Sequence, residues 1–379
     1  MDSKTFKYHC GFCNGNNAGI IYTTCDQSQN RYCIACCLDC ACLFLAPRPK
    51  HEELALSYDE SYYGQGDDKF GSITEKVLDW FRQRRAKLVH RYLDGKGRVL
   101  DIGCGNGRYL SFLGNKGDYE LYGIEMDGAP AQRASRISKI NLFTDDLKDC
   151  GFKPESFDAI TLFHVFEHLP EPQKTLLIIS RTLKKNGILY ISFPNIDSVQ
   201  ARLFKGNWLH LDPPRHLFFF KPADFKALME KQGFKLLKER HFNPEYNPFG
   251  MCQSILNCFS NKRELLYESM KGNIRYAKGP ELTLHRIFFY LSFPFFLVTD
   301  FVESLFRKGA TVEFVFEKQG SRSRGVQGSS DPPQNRRIKI LKDYRRLNIR
   351  QKSHAPWLHI YKETKRFLCM SDTSLSSRS

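Results

Sequence analysis

The chain has 379 residues, 41% of them hydrophobic and 26% charged, an ordinary soluble globular composition with room for one large domain and a smaller one. Its formal charge of +16 is uneven, because from Lys318 onward 15 Lys and Arg face 4 Asp and Glu. The basicity belongs mainly to the tail, which excludes reading the core as a nucleic-acid binder from charge alone.

The N-terminus is polar and cysteine-rich with no apolar h-region, so no secretory leader is expected and the expected address is cytoplasmic. Thirteen cysteines are present, eight of them between Cys10 and Cys42. In a cytosolic chain such clustering favours metal over disulfides. Cys10-x-x-Cys13 and Cys37-x-x-Cys40 form two knuckles, and two knuckles make a four-cysteine zinc-ribbon-like site. Four thiolates leave no open position, so the zinc is expected to be structural. Cys33-x-x-Cys36 is a rival second knuckle, and Cys25 and Cys42 read as buried thiols. This module spans 1–50 and closes at "LAPRP"; a turn-rich, aromatic linker follows over 51–72.

A large domain is expected over 73–320. Its first segment, 73–93, carries Val77, Trp80, Phe81, Leu88 and Tyr92 at helical spacing. Strands and helices then alternate. "GRVLDI", "YELYGIEM", "INLFT", "FDAITLFHVF" and "GILYISF" read as strands, with helices between most of them and "KKNG" as the turn before the last. That pattern predicts a parallel sheet covered on both faces. "NWLHLDPPRHLFFFKP" (207–222) reads as an irregular aromatic loop. A helix and a strand follow, then a helical insertion over 243–308, then a last strand at 309–318. The region 321–379 reads as a basic, disordered tail.

The turn after the first of these strands is "DIGCGNG", with Gly103, Gly105 and Gly107 on alternate positions and Asp101 just ahead. The carboxyl edge of an open α/β sheet is where such folds bind ligands. Glycine permits positive φ and lets a ligand approach where a Cβ would stand. The following helix offers free N–H groups to an anionic group. Dinucleotide sites use G-x-G-x-x-G, and a carboxylate at Asp101 would repel a pyrophosphate. It suits a cationic ligand carrying an amine, and S-adenosylmethionine (SAM) is one. Glu125, 20 residues past Gly105, ends the next strand where an acid accepts ribose hydroxyls. Asp146 follows the third strand, within reach of an adenine amino group.

"VLDIGCGNG", "GIEMD", "DDL" and "ESFDAITLFHVFEHLPEP" together resemble the motifs of class I SAM-dependent methyltransferases, especially the methyltransferase type 23 group, from about 73 to 318. The resemblance implies a doubly wound, seven-stranded Rossmann-like α/β sheet in the order 3-2-1-4-5-7-6, with the seventh strand antiparallel. It implies that Asp101, Gly103, Gly105 and Gly107 line the methionine end, Glu125 the ribose, and Asp146 with Leu147 the adenine. Cys104 and Met126 complete the candidate cofactor-lining set, Cys104 reading as a small packing residue rather than a nucleophile.

On the acceptor side, His164, Glu167 and His168 follow the fourth strand in "FHVFEHLP". A histidine there can act as general base near neutral pH, or only pack over the cofactor. Glu167 with His168 could bind a metal, as in some quinone O-methyltransferases, or Glu167 could simply favour a helix start. "DPPRHLFFF" resembles a segment of sugar C-methyltransferases that carry an N-terminal zinc module. Matched that way, His216 falls on their proposed base and His168 on a second active-site histidine. Arg215 stands where they have Glu and would suit a phosphorylated or carboxylated acceptor, and their nearby Tyr is missing.

"RIFFYLSFPFFLVTDFVESLF" (286–306) is the most apolar segment. Pro294, Asp300 and Glu303 argue against a bilayer span and leave a membrane-surface contact over 286–308, or a lid or dimer helix. The expected function is methyl transfer from SAM to oxygen or carbon of a small molecule, a sugar or a lipid-linked glycan. The alternatives are an RNA methyltransferase using the zinc module and basic tail, and a non-catalytic SAM- or zinc-binding protein. "DPPR" follows the fifth strand rather than the fourth, so the signature used for base nitrogens is missing.

Overall fold

The structure, a computed structural model, describes residues 8–58, 72–273 and 276–320. Most of the expected linker and the whole expected tail lie outside the described residues. Residues 8–37 and the described residues from 42 to 320 belong to one compact unit, and 38–41 is a short turn between two of its strands.

The N-terminal strands are β1 (Ala18–Cys25), β2 (Arg31–Cys37) and β3 (Leu43–Ala46), paired antiparallel in that order. After helices α1 (His51–Leu56) and α2 (Ser72–Leu93), the alternating region begins. It runs β4 (Lys96–Ile102), α3 (Arg108–Gly114), β5 (Asp118–Ile124), α4 (Ala129–Ser135), β6 (Ile140–Phe143), β7 (Phe157–Phe163), α5 (Pro172–Thr182) and β8 (Leu183–Pro194). Helix α6 (Val199–Phe204), strand β9 (Phe218–Phe219), helix α7 (Pro222–Lys231) and β10 (Phe234–Arg240) follow. Helices α8 (Asn247–Phe259), α9 (Leu265–Met270) and α10 (Pro280–Leu305) form the insertion, and β11 (Thr311–Lys318) ends it.

The main sheet has the order β10-β11-β8-β7-β4-β5-β6, with β11 antiparallel to both its neighbours and the pairs among the other strands parallel. Numbered within the sheet, this is 3-2-1-4-5-7-6. The central strands are near-continuous apolar runs because helices cover both faces. Val99, Leu100, Ile160, Leu162, Leu189 and Ile191 are fully enclosed. The strand order reverses between β4 and β7, which opens the crevice at their carboxyl ends.

Three local expectations are corrected. "KKNG" is not a turn ahead of the fifth strand, since β8 begins at Leu183 and runs through it, with Asn186 left-handed at φ 60. On α2, Val77 and Trp80 are exposed, and the buried face is Phe81, Arg85, Ala86 and Val89. The aromatic loop is not wholly irregular: Phe218 and Phe219 pair with Phe44 and Leu43, making β9 the fourth strand of the N-terminal sheet. Tyr32, Ile34 and Leu45 of that sheet share one core with Trp208, Leu211 and Phe219 of the loop. Gly206 allows this closeness, because a Cβ there would stand 2.1 Å from the Thr23 carbonyl oxygen.

Candidate active site

The glycine turn joins β4 to α3, and its three glycines have different surroundings. All three are left-handed, with φ between 57 and 74. A Cβ on Gly103 would overlap Val165 at 2.3 Å, and one on Gly107 would press on Ile140 at 2.9 Å. These two are packing requirements. A Cβ on Gly105 would meet nothing within 4 Å, so Gly105 lies on the open side of the turn, where a ligand can approach. Its N–H donates to Glu125 Oε2 at 2.6 Å, which ties the end of β5 to the turn.

Asp101 is buried at the end of β4 and accepts a hydrogen bond of 2.6 Å from Thr161 Oγ1 on β7. Burial pushes its carboxyl up to about 8, against the Thr161 bond and with help from Glu125. A buried carboxyl that stays neutral in the empty turn and ionises as a cation arrives, beside a glycine turn with an open side, makes a receptor for that cation. The fit to SAM rests on that pair of observations. Cys104 is enclosed, its Sγ against Gly123, while Asp146 and Met126 are exposed and Leu147 is half-buried.

The acceptor side collects residues from two loops over the same sheet edge. The loop after β7 carries His164, Glu167 and His168; the loop after α6 carries His210, Asp212, Arg215 and His216. His216 Nδ1 lies 2.9 Å from the His210 carbonyl oxygen, and His168 Nδ1 lies 3.1 Å from that of Arg215. A carbonyl can only accept, so in His216 Nδ1 carries the proton and Nε2 presents a lone pair, whereas His168 Nδ1 also meets the Tyr58 hydroxyl at 2.8 Å. His216 Nε2 is 3.9 Å from Glu167 Oε1 and 3.7 Å from Asp212 Oδ2. Glu167 is 1% exposed, and neither carboxylate oxygen has a hydrogen-bond partner among the described residues. Burial pushes it up to about 7, against the pull of His216. Ligand atoms of Glu167, His168 and His216 lie within 4.8 Å of one another, a spacing that could also hold a divalent ion.

His164 stands apart in kind. It is left-handed at φ 55, its ring stacks 4.2 Å from Tyr246, and Nδ1 is 3.5 Å from Glu167 Oε1. Burial, with Arg85 adding to it, lowers it to about 3, which keeps it neutral and makes it a weak base. Arg215 is engaged rather than offered to an acceptor. It forms a two-pronged ion pair with Asp212 and donates to the Ser57 carbonyl at 3.2 Å. Burial raises Asp212, but Arg215 and His216 outweigh it and hold the carboxyl below its usual range.

Residues 77–239 match the family model described as Methyltransferase domain. Those residues are similar to a methyltransferase domain, and the observed sheet order is the one expected of it. The chain is 25% identical over 205 residues to the ubiquinone biosynthesis O-methyltransferase of Coxiella burnetii (strain RSA 331), covering 49% of this chain and 87% of that one. It is 27% identical over 146 residues to the Neisseria meningitidis (strain Z2491) enzyme of the same name, covering 34% and 60%. Among solved structures, a SAM-dependent methyltransferase from Archaeoglobus fulgidus overlaps with TM-score 0.39 at 19% identity, over 63% of this chain and 94% of that one. The [4+2]-cyclase SpnF overlaps with TM-score 0.42 at 16% identity, over 63% and 81%. Overlaps at that level say nothing about activity.

Several residues of the methyltransferase domain's acceptor side carried no sequence signal. The Tyr58 hydroxyl lies 2.8 Å from His168 Nδ1, and Arg85 on α2 packs over the Phe163 and Tyr246 rings while pairing with Glu245. Arg85 sits in "RQRRAK", which looks like a solvated helix face. His210 is buried and lowered by burial to about 3, and its backbone carbonyl, not its ring, orients His216.

At the other end of the chain, ligand atoms of Cys10, Cys13, Cys37 and Cys40 lie within 4.8 Å of one another, and the Cys13 and Cys37 sulfurs are 3.5 Å apart. Tetrahedral zinc with Zn–S of about 2.3 Å needs sulfur–sulfur edges of about 3.8 Å, so the donor set fits. Cys33 and Cys36 are three apart on β2 and face opposite sides of the strand, so they cannot share one ion. Burial raises both of their thiols. Cys25 and Cys42 are half-buried rather than enclosed.

Proposed function

We propose that the chain methylates a hydroxyl oxygen of a small-molecule acceptor resembling a ubiquinone precursor, with His216 as the proton acceptor and Glu167 behind it. The names of the relatives supply the acceptor class. The observation that supports the chemistry is the pairing of His216, its tautomer set by the His210 carbonyl, with a buried carboxyl raised to about 7. SAM, when bound, supplies an electrophilic methyl on a sulfonium. Asp101, Gly103, Gly105 and Gly107 hold its methionine end, Glu125 and Met126 its ribose end, and Asp146 and Leu147 its adenine, while Cys104 supports the turn. His216 Nε2 would take the proton that leaves the acceptor hydroxyl. His164 and Tyr246 wall the pocket, and His168 orients the acceptor. With Arg215 held by Asp212, no observation favours a phosphorylated glycan over this acceptor.

The direct test is incubation with methyl-labelled SAM and fractionated cell extract. Label is expected in the hydroxylated, extractable small-molecule and lipid fraction. Label in RNA overturns the reading in favour of the nucleic-acid alternative, and tight SAM binding with no transfer to any fraction favours the non-catalytic one.

We also read Cys10, Cys13, Cys37 and Cys40 as a structural zinc site. About one zinc per chain should survive gel filtration, since four thiolates bind zinc strongly enough to couple it to folding. Cys37→Ser should release it and lower the thermal midpoint; Cys33→Ser should leave the zinc in place. Equal zinc loss in both variants defeats the assignment.

A further inference from the structure

The helix α10 is amphipathic the wrong way round for a soluble protein. Three of its polar residues, His285, Asp300 and Glu303, are buried against the body of the chain. Asp300 accepts from Asn243 N–H at 3.2 Å and from Asn247 Nδ2 at 2.6 Å, and Phe296 packs into a core cluster with Met251, Cys252 and Leu256. Its apolar residues face outward. Leu284, Leu291, Phe295, Val298, Val302 and Leu305 are 46–78% exposed, and their spacing of three, four and seven puts them on one line along the helix. Ile287 lies on the same line. The stripe spans about 32 Å at 1.5 Å per residue. A contiguous exposed apolar strip of that length marks an interaction surface.

Charge selects the occupant. From Leu282 to Leu305 the acidic residues of α10 are Asp300 and Glu303, both turned inward, so the outward stripe carries no negative charge. Cations flank it, with Lys278 and Arg286 exposed beside the partly exposed Glu281 at one end, and the exposed Arg307 with the half-buried Lys308 at the other. The pairs Arg307–Glu239 and Lys308–Asp197 reduce this excess without reversing it. A second copy docked along the stripe would bring the same flanking cations face to face, whereas an anionic bilayer would be attracted to them. A crossing of the bilayer is opposed by the inner face, which is fastened to the body through Asp300 and Phe296. We infer that α10 lies in the plane of an anionic membrane surface, with the Leu284–Leu305 stripe sunk about 5–10 Å into the headgroup and acyl boundary.

The test is flotation of the full chain with vesicles of phosphatidylcholine alone and of phosphatidylcholine with 30% phosphatidylglycerol, about 0.1 M salt being low enough to keep the attraction. The chain is expected to float with the anionic vesicles, and the double variant Leu291→Glu with Phe295→Glu to lose binding at least tenfold. Both side chains are exposed, so the fold should survive, checked by unchanged SAM binding. Three results overturn the inference: no flotation of the native chain, equal flotation of the variant, or a native dimer that the variant converts to monomer. The reading does not depend on the acceptor, and its failure would leave SAM binding and methyl transfer untouched.

Discussion

Asp101→Ala should weaken SAM binding at least a hundredfold, about 2.8 kcal/mol at 1.4 kcal/mol per tenfold, while leaving the ligand-free fold at least as stable. The two halves of that expectation come from one fact. Asp101 is 3% exposed and raised to about 8 by burial, so its carboxyl is an unfavourable guest in the empty protein and a strong partner for a cation. Hydrogen bonds to charged groups contribute about 1.5–3 kcal/mol each, and the carboxylate also supplies charge. The sign with pH is set by the raised value. Between the ordinary 3.8 and about 8, the folded chain keeps a proton that the unfolded chain has lost. The group's contribution to stability therefore falls as pH rises through that window. Alanine removes the penalty, so the variant's thermal midpoint relative to the native chain should improve from pH 6 to pH 9. SAM needs the ionised form, so native binding should tighten up to about pH 8 and release a proton at neutral pH. Calorimetry in two buffers of different ionisation heat measures both. Native-like affinity in the alanine variant, or no proton release, would remove Asp101 from the cofactor site.

The geometry of the glycine turn was readable because it is made of neighbours in sequence. Asp101, Gly103 and Gly105 sit in one turn, and Glu125 ends the adjacent strand, so strand period and glycine spacing suffice to place them. Alternation pointed to a parallel sheet covered on both faces, while the strand order with its antiparallel seventh strand was what the family resemblance implied. The acceptor side was only half readable. His164 and His168 could be named as polar residues after a strand end and His216 through a family resemblance, but the environment of His164 depends on Arg85 and Tyr246, which come from α2 and the insertion, with Glu245 of the insertion pairing Arg85. No local pattern announces a contact between residues 160 apart in the chain. The same holds for β9. "FFF" looks like core in any context, and only pairing with Leu43 and Phe44 shows it closing the N-terminal sheet. That pairing anchors the loop that carries His210 and His216 to the sheet whose strand β2 ends at Cys37.

His216→Ala should leave SAM affinity unchanged and reduce kcat by about 10²–10⁴, the usual contribution of a positioned general base. The ring is 6% exposed and its Nδ1 is committed to the His210 carbonyl, so Nε2 is the nitrogen available to a substrate proton. Glu167→Gln separates this role from a merely structural one. The native rate should rise with pH as Glu167 ionises near 7, because a carboxylate beside Nε2 stabilises the imidazolium formed when the proton arrives. The amide keeps the shape and cannot ionise, so the variant should lose that rise and run at a uniformly low rate. Its stability should move the other way. The folded value of about 7 exceeds the ordinary 4.5, so native stability from this group declines as pH rises between those values, and the amide escapes the decline. A Glu167→Gln enzyme that is slower yet more heat-resistant at pH 8 would mark the carboxyl as held in the site at a cost to stability. If instead the variant kept the native pH profile, the rise would belong to another group and Glu167 would lose its place behind His216.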